Sequence, residues 1–358
     1  MKLPAIRGII LEELVLYLLG LVGYRIVMPD EEGTKLGHSG LEVQGRGEWH
    51  QIDALAAFDR TPAFMYPLRL MVEAKCYEKG RPVGIDVARN AVGVLKDISE
   101  NYFTYRPQPL AADEIQVQRF NYHSAIFSTS GYTSGAQRYA IAHQIFLIQY
   151  EEIGLLRPII DGLLGMEANH MRTDILHAKK AQATSRIREE IRSMLARLPA
   201  ARRDQESVFR AHGHHHVESA IIFPLLQVRG SYFGMLQGRW PMHLLSPSEL
   251  PDDAFMGRDE IPCRVYGYRA ETWSFSPADA EEGDPAWFRL EFDLPEEVLE
   301  LVKVARHDRN AVADLKQQHF SFLDLAGRIG GVQRQVRLRL DEEWLERYRS
   351  RIRTRRRT

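Results

Sequence analysis

Apolar and polar positions along the first 75 residues predict a buried helix followed by strands. Residues 5–22 carry apolar side chains at the spacing of one broad helical face, and Gly23 ends that pattern. The run 68–75 is apolar on both faces until its last three residues. Continuous apolar runs mark strands that are covered on both sides. The sequence therefore predicts a central strand that ends in charged residues.

The next stretch predicts a helix, followed by a strand, a second helix and a further strand. These patterns cover residues 84–98, 122–129, 134–143 and 145–149. A strand, a helix and a strand at this spacing imply a right-handed crossover between neighbouring parallel strands. We therefore predict that residues 1–150 form an α/β unit with a mixed sheet flanked by helices.

The rest of the chain has a different texture. Residues 151–211 are mostly helical in pattern and strongly charged between 171 and 197, so we predict a helical connector. Residues 212–358 combine short β-like runs, such as 220–228, with helical patterns, such as 295–326, which predicts a C-terminal α+β domain. A chain of 358 residues exceeds the size at which one hydrophobic core usually stops growing, which agrees with two domains.

The composition is that of an ordinary globular protein, with 44% hydrophobic and 27% charged residues. The longest apolar stretch, 9–22, is interrupted by Glu12 and Glu13, which makes it too short and too charged to span a bilayer. The N-terminus lacks the features of a secretory signal, and Cys76 and Cys263 have no metal-type spacing. We therefore expect a cytoplasmic protein that does not interact with membranes.

Positive charge is concentrated at the C-terminus, although the net charge of the chain is −1. After Glu346 the chain carries an arginine-rich tail: Arg347, Arg349, Arg351, Arg353, Arg355, Arg356 and Arg357. Such a tail can neutralise phosphates and raise nonspecific affinity for nucleic acid in a salt-dependent way. A solvated, frayed terminus is the alternative interpretation.

A histidine-rich segment is a second unusual local feature. It contains His212, His214, His215 and His216. Such segments can bind zinc or nickel. No cysteine lies nearby, so a solvated loop is the favoured interpretation.

Three charged residues carry the strongest chemical signal. Alternation along a strand puts Glu73 and Lys75 on one face, with Ala74 pointing away. If Asp53 lies on a neighbouring strand, its carboxylate, that of Glu73 and the carbonyl of Ala74 converge on one point. Hard oxygen ligands of this kind suit Mg²⁺, with Mn²⁺ as a substitute. Lys75 then lies where it can orient a nucleophilic water and stabilise negative charge.

The alternative interpretation involves no catalysis. Asp53 would be a turn residue, and Glu73 and Lys75 an ion pair on an exposed edge strand. A Glu-x-Lys sequence alone occurs often by chance. The apolar run before Glu73 favours the catalytic interpretation, because such a run is unexpected on an edge strand.

The first 150 residues resemble the Mrr-type restriction-endonuclease branch of the PD-(D/E)XK nuclease superfamily. Four blocks carry the resemblance in order: Leu11-Glu12-Glu13-Leu14-Val15 with Gly23-Tyr24, Gln51-Ile52-Asp53-Ala54, Val72-Glu73-Ala74-Lys75, and Ser128-Thr129-Ser130-Gly131-Tyr132-Thr133 with Ile145-Phe146-Leu147-Ile148. The resemblance implies a restriction-endonuclease-like core with Glu12, Asp53, Glu73 and Lys75 as catalytic residues. It also implies that Asp53, Glu73 and the carbonyl of Ala74 hold the metal.

The chain departs from the family pattern at two places. The family often has a glycine-rich approach to its aspartate, whereas residues 48–51 here are Glu-Trp-His-Gln. Many Mrr-like members carry glutamine at the position of Glu73, so this chain has the more general superfamily form. The resemblance says nothing about the remaining residues.

The resemblance implies a metal-dependent endonuclease that hydrolyses DNA phosphodiester bonds, in restriction or anti-phage defence. Two alternatives remain open: a module that binds nucleic acid without cutting it, and a nuclease that acts on RNA or single strands. Dimerisation or a larger assembly would suit double-strand cutting. The C-terminal half would recognise the target, bind an activating partner or ligand, or mediate oligomerisation.

Overall fold

The computed structural model describes residues 1–37, 40–58, 60–61, 64–105, 115–117, 119–197, 207–267, 272–305 and 308–355. They cluster into two units, the first formed by Met1–Leu147 with Gly162–Ile222 and the second by Ile148–Asp161 with Phe223–Thr358. Arg356 and Arg357 of the arginine-rich tail lie outside the described residues, as do the side chains of Arg351, Arg353 and Arg355.

The chain up to residue 149 alternates helices and strands. The elements are α1 (Leu3–Val22), β1 (Tyr24–Ile26), β2 (Thr34–Leu36), β3 (Leu41–Gln44), β4 (Trp49–Gln51), β5 (Ala54–Phe58), β6 (Leu68–Lys75), α2 (Ile85–Ser99), β7 (Phe103–Tyr105), β8 (Ile115–Val117), β9 (Asn121–Ser128), α3 (Ser134–Ala142) and β10 (Phe146–Gln149).

The main sheet has the order β1-β5-β6-β9-β10. Strand β6 pairs antiparallel with β5 and parallel with β9, so the sheet is mixed. Helix α1 packs on β1, β5 and β6, and helix α2 packs on β9. The predictions of a mixed sheet flanked by helices and of a central strand over residues 68–75 are confirmed. Two smaller sheets, β2-β3-β4 and β7-β8, complete the β-structure described in this part of the chain.

Helix α1 is buried on more sides than its sequence pattern predicts. The predicted apolar face is buried, but Leu11, Glu12, Glu13 and Leu16 are buried as well. The helix ends at Gly23, whose φ of 102° is a left-handed conformation that suits glycine. A helix enclosed in this way needs a second layer over the side that faces away from the sheet.

That second layer comes from the segment predicted to be a connector. The α-helices described within residues 151–211 are α4 (Arg157–Leu164), α5 (Thr173–His177) and α6 (Lys180–Leu195), and α7 (Ala211–Val217) begins where this segment ends. Helix α6 packs along α1 and buries Ile187, Ile191 and Met194. The segment 151–211 therefore differs from a simple linker, because residues 162–222 cluster with the first unit. Apolar burial and the pairing of α1 carboxylates with α6 arginines give a physical reason for this packing.

The second unit contains a closed seven-stranded barrel of order β11-β12-β15-β14-β13-β17-β16. Its elements are α8 (Phe223–Leu226), β11 (Gly230–Leu236), β12 (Trp240–Ser246), β13 (Glu260–Tyr266), β14 (Trp273–Pro277), β15 (Leu290–Phe292), α9 (Glu296–Ala305), α10 (Arg309–His319), β16 (Phe322–Ile329), β17 (Val332–Leu340) and α11 (Glu342–Arg355). The prediction of mixed strands and helices is confirmed, but closure into a barrel was not predicted.

Two predictions between residues 218 and 326 are wrong, because short apolar runs do not specify one type of element. Residues 218–226 are helical although 220–228 is β-like in sequence, and the predicted helical stretch 295–326 ends early because β16 begins at Phe322. Periodicity alone does not separate short buried helices from strands. The β16–β17 turn is locally encoded, because Gly330 and Gly331 have φ of 57° and 80°, which a two-residue hairpin of this type requires.

Among the described residues, no helix combines the length and the apolar character needed to cross a membrane.

Candidate active site

Lys75 lies between two carboxylates at the end of the central strand β6. Its Nζ is 2.8 Å from Glu73 Oε1 and 4.0 Å from Asp53 Oδ2. All three side chains are partly exposed, with 22% of Lys75, 23% of Glu73 and 32% of Asp53 accessible. Ala74, between Glu73 and Lys75, is buried. The three charged groups therefore form a cluster that solvent and a substrate can reach.

The pairing of β5 with β6 brings Asp53 to this cluster. Ala54 is opposite Val72 in the antiparallel register, so one further step puts Asp53 opposite Glu73. Asp53 does not lie within a strand, because β4 ends at Gln51 and Asp53 forms a bend before β5 begins at Ala54. Asp53 is thus a bend residue, yet the sheet register still directs it to the end of the central strand.

Burial and charge set the protonation of the cluster. Burial raises the pKa of Glu73, with Lys75 opposing this shift and Asp53 and Asp86 adding to it. Burial lowers the pKa of Lys75, but the attraction of Glu73 and Asp53 outweighs it, and the net pKa is raised. Lys75 is therefore an ammonium ion near neutral pH. As a cation it can donate hydrogen bonds and stabilise negative charge, but it does not accept a proton.

Glu12 approaches the cluster from helix α1. It is 7% exposed, and burial raises its pKa to about 8, with the negative charge of Asp53 adding to the shift and Arg188 opposing it. Arg188 Nη2 donates hydrogen bonds to Glu12 Oε2 and to the main-chain oxygen of Asp53, each at 2.5 Å. One guanidinium thus connects the helix to the bend that carries Asp53.

Glu13, the neighbour of Glu12, is paired with arginines of α6, the helix that also carries Arg188. Arg192 donates two hydrogen bonds to its carboxylate, at 2.6 and 2.9 Å. Arg188 Nε also lies 3.5 Å from Glu13 Oε1. The adjacent acids of α1 are therefore matched by two arginines that are one helical turn apart on α6.

Arg188 was missed by the sequence analysis. It lies in the charged section 171–197, which was interpreted as part of a connector. The spacing of Arg188 and Arg192 is a signal for one helical face, but nothing local connects that face to Glu12 and Glu13. Only the packing of α6 on α1 reveals the match.

The donor set of the cluster fits a magnesium ion that is shared with a substrate. Mg²⁺ is usually bound through one or two carboxylates, with water and substrate phosphates as the remaining ligands. The carboxylates of Asp53 and Glu73 and the carbonyl of Ala74 are hard oxygen donors of this type. Within the described ranges, no group of three or more His, Cys, Asp or Glu side chains is arranged as a metal cage.

The histidine-rich segment is helical, which corrects the expectation of a loop. It forms α7, and His216 is hydrogen-bonded through Nε2 to the carbonyl of Gly162 at 2.8 Å. Gly213 contacts the main chain of His170 so closely that a Cβ there would collide with the His170 carbonyl. These contacts give the segment a structural role in the first unit.

Comparisons with known proteins do not identify the chain. No family model and no curated protein matches it. A solved structure, titled as a protein of unknown function, AF1548, aligns at 16% identity over 53% of this chain and 95% of that chain. The TM-score of that alignment is 0.30, which is too low to support a conclusion about fold or function. The chemistry of the site therefore has to be argued from its own residues.

Proposed function

We propose that the first unit is a magnesium-dependent endonuclease that hydrolyses DNA phosphodiester bonds at Asp53, Glu73 and Lys75. The observation that carries this proposal is the position of the Lys75 ammonium, 2.8 Å from Glu73 and 4.0 Å from Asp53 at the open end of a buried strand. The order of the blocks that resemble PD-(D/E)XK nucleases supports the same assignment. A restriction-endonuclease-like core is part of the proposal.

Each residue has a separate task in the proposed reaction. Asp53, Glu73 and the Ala74 carbonyl would hold Mg²⁺, which when bound lowers the pKa of water and neutralises charge on a phosphate. Lys75 orients the attacking water and stabilises negative charge as it develops on the phosphate. Glu73 keeps the Lys75 ammonium in position through their 2.8 Å contact.

In this proposal, Glu12 and Arg188 position Asp53 and do not contact the substrate. Arg188 holds the main-chain oxygen of Asp53 and therefore restricts the bend that aims its carboxylate. Glu12 accepts from the same guanidinium and keeps it in place. Glu12 thus contributes to the site by positioning Asp53.

A module that only binds nucleic acid is less consistent with this cluster. Asp53 and Glu73 would repel a phosphate in the absence of a cation, so a pure binding site gains nothing from them. A nuclease that cuts RNA or single strands would use the same side chains. A comparison of substrates distinguishes it from a nuclease that cuts duplex DNA. A role in restriction or defence, and dimerisation for double-strand cutting, follow from the family resemblance alone.

Cleavage of plasmid DNA tests the proposal. The wild type is compared with Asp53→Ala and Lys75→Ala in Mg²⁺, in Mn²⁺ and in EDTA, after circular dichroism has verified that each protein is folded. Lys96→Ala is the control, because it removes an exposed lysine from α2. We expect metal-dependent cutting that each site variant lowers by about 100-fold or more.

The same assay on duplex DNA, single-stranded DNA and RNA identifies the substrate. If RNA or single-stranded DNA is cut faster than duplex DNA, the proposed substrate changes, but Asp53, Glu73 and Lys75 remain the proposed active site. Cleavage by Lys75→Ala at the rate of Lys96→Ala would refute the proposed role of the cluster.

A further inference from the structure

The second unit has its own concave surface, with a cavity volume of about 900 Å³. We name it the aromatic–basic pocket. Four aromatic residues line it: Tyr266, Trp287, Trp344 and Tyr348. Its position on the barrel unit makes it a separate feature from the cluster around Lys75.

Strand β13 and helix α11 supply three of these rings. Trp344 and Tyr348 are four residues apart on α11, and their ring centroids are 5.5 Å apart. Tyr266, at the end of β13, packs edge-on against Trp344 at 5.8 Å and is 43% exposed. The rings support one another, which leaves a partly exposed aromatic surface that is held in a defined orientation.

Basic groups surround this aromatic surface. Among the described residues, the pocket lining includes Arg264, Arg289, Arg309 and Arg347, against two acids, Glu281 and Glu282. The excess of cations makes the pocket attractive to an anion.

The ion pairs of these arginines leave binding capacity. Arg264 pairs with Glu281 at 2.8 Å, but Glu281 is 77% exposed and can move away. Arg264 Nη2 also donates to the Ala278 carbonyl, which fixes the guanidinium at the pocket wall. Arg289 is 49% exposed, and its Nε is 3.5 Å from Glu291 Oε1, which is longer than a hydrogen bond between charged groups. A phosphate oxygen that replaces the exposed Glu281 carboxylate at Arg264, or that joins Arg289, would gain a charge-assisted hydrogen bond.

Lys316 forms the base of the pocket and fixes its shape. It is 1% exposed, and its Nζ donates to the Val265 carbonyl at 2.7 Å. The Nζ also lies 4.7 Å from the ring centroid of Tyr348 and 5.3 Å from that of Trp344. These contacts hold α10, α11 and the end of β13 together beneath the aromatic surface.

We propose that the aromatic–basic pocket binds an unpaired nucleotide within a nucleic-acid strand. The base stacks on the rings around Tyr266 and Trp344, and the phosphates contact Arg264 and Arg289. Every base has a π-face, so stacking on aromatic side chains combined with arginine contacts recognises unpaired nucleotides whatever their sequence. The inference rests on the proposed nuclease function and assigns the second unit to target recognition.

The arginines that follow Tyr348 in the sequence favour a nucleic-acid strand over a free nucleotide as the ligand. Helix α11 carries Trp344 and Tyr348, and the chain beyond residue 350 adds five arginines. Positive charge that extends along the chain suits a polyanion with successive phosphates.

Fluorescence anisotropy in EDTA measures this binding without cleavage. The full chain is titrated onto a labelled single-stranded oligonucleotide, a fully paired duplex and a duplex with a short unpaired bulge. The variants are Tyr266→Ala and Arg289→Ala, both at partly exposed positions. Arg339→Ala is the matched control, since Arg339 is exposed and paired with Glu260 on the same barrel.

We expect the bulged duplex and the single strand to bind about tenfold more tightly than the paired duplex. Tyr266→Ala should weaken binding to both by about tenfold. Arg289→Ala should weaken binding and lower the salt dependence by about one counterion. Arg339→Ala should bind as the wild type does.

Two results would overturn the inference. One is equal binding by Tyr266→Ala, Arg289→Ala and the Arg339→Ala control. The other is displacement of the oligonucleotide by a mononucleotide at equal nucleotide concentration, which would make the pocket a site for a free nucleotide. The binding test runs in EDTA and its variants lie outside the cluster around Lys75, so a failed cleavage test and a failed binding test remain distinguishable.

Discussion

Arg188 Nη2 lies 2.5 Å from Glu12 Oε2, although 176 positions separate the two residues in the chain. The same nitrogen also donates to the main-chain oxygen of Asp53. Helix α6 therefore belongs to the candidate active site as well as to the core. Residues beyond position 150 in the sequence thus hold Asp53, the proposed catalytic aspartate, in place.

Removal of the Arg188 guanidinium should lower the stability of the fold and also slow cleavage at low Mg²⁺ concentrations. Arg188→Met leaves Glu12 and the Asp53 carbonyl without their donor, and we expect a loss of about 2–3 kcal/mol in the free energy of unfolding. The Mg²⁺ concentration for half-maximal cleavage should rise, because the bend that carries Asp53 is no longer restrained. Urea unfolding and Mg²⁺ titrations of the cleavage rate measure the two effects.

Arg186→Met is the matched control for this change. Arg186 is on the same helix and pairs with Asp174, which is 48% exposed, so its loss should cost under about 1 kcal/mol. Equal effects of the two substitutions on stability and on Mg²⁺ dependence would exclude a specific role for Arg188.

The charge of Lys75 should matter more than its ability to exchange a proton. Its pKa is raised by Glu73 and Asp53 against the effect of burial, so it stays protonated across the neutral range. Lys75→Arg should therefore cut faster than Lys75→Met by about tenfold or more, since arginine preserves the cation. Single-turnover cleavage rates at saturating Mg²⁺ measure this difference. Equal rates for the two variants would contradict the prediction, because a positive charge at this position would then not raise the rate.

Glu12 should make stability fall as pH rises. Burial raises its pKa from 4.5 to about 8, so between these values the folded chain holds a proton that the unfolded chain has released. Its contribution is complete at low pH and is lost as pH rises through this window. Glu12→Gln should therefore lose less stability than the wild type between about pH 5 and pH 8, by on the order of a few kcal/mol.

Urea unfolding at several pH values measures the effect of Glu12. Glu189→Gln, an exposed acid on α6, serves as the control and should follow the wild-type pH dependence. Parallel pH profiles for the wild type and Glu12→Gln would contradict the prediction.

Lys316 should have the opposite pH dependence in the second unit. Burial lowers its pKa from 10.5 to about 7, so between these values the unfolded chain binds a proton that the folded chain lacks. Stability should rise with pH in this window, and Lys316→Met should remove the rise. At pH 7 the variant should be more stable by about 1–3 kcal/mol, after allowance for the hydrogen bond lost to Val265.

Tryptophan fluorescence follows the unfolding of the second unit, because four of the five tryptophans lie there. Lys303→Met is the control, since Lys303 is 43% exposed and its loss should leave the pH dependence unchanged. A wild-type profile that is flat above pH 7 would contradict the prediction.

Local periodicity determined much of the first unit. The face of α1, the strand–helix–strand order from β9 to β10, and the shared side of Glu73 and Lys75 all follow from repeats of 3.6 or two residues. Such patterns depend on sequence neighbours and can be read before the chain is packed. The glycine pair at the β16–β17 turn is encoded in the same local way.

Tertiary structure alone decided which distant residues meet. The β5–β6 register puts Asp53 opposite Glu73, and the packing of α6 on α1 brings Arg188 to Glu12. Closure of the barrel likewise depends on the pairing of β16 with β11. These partners are selected by apolar burial and by the need to neutralise buried charge, and both act only once the chain has folded.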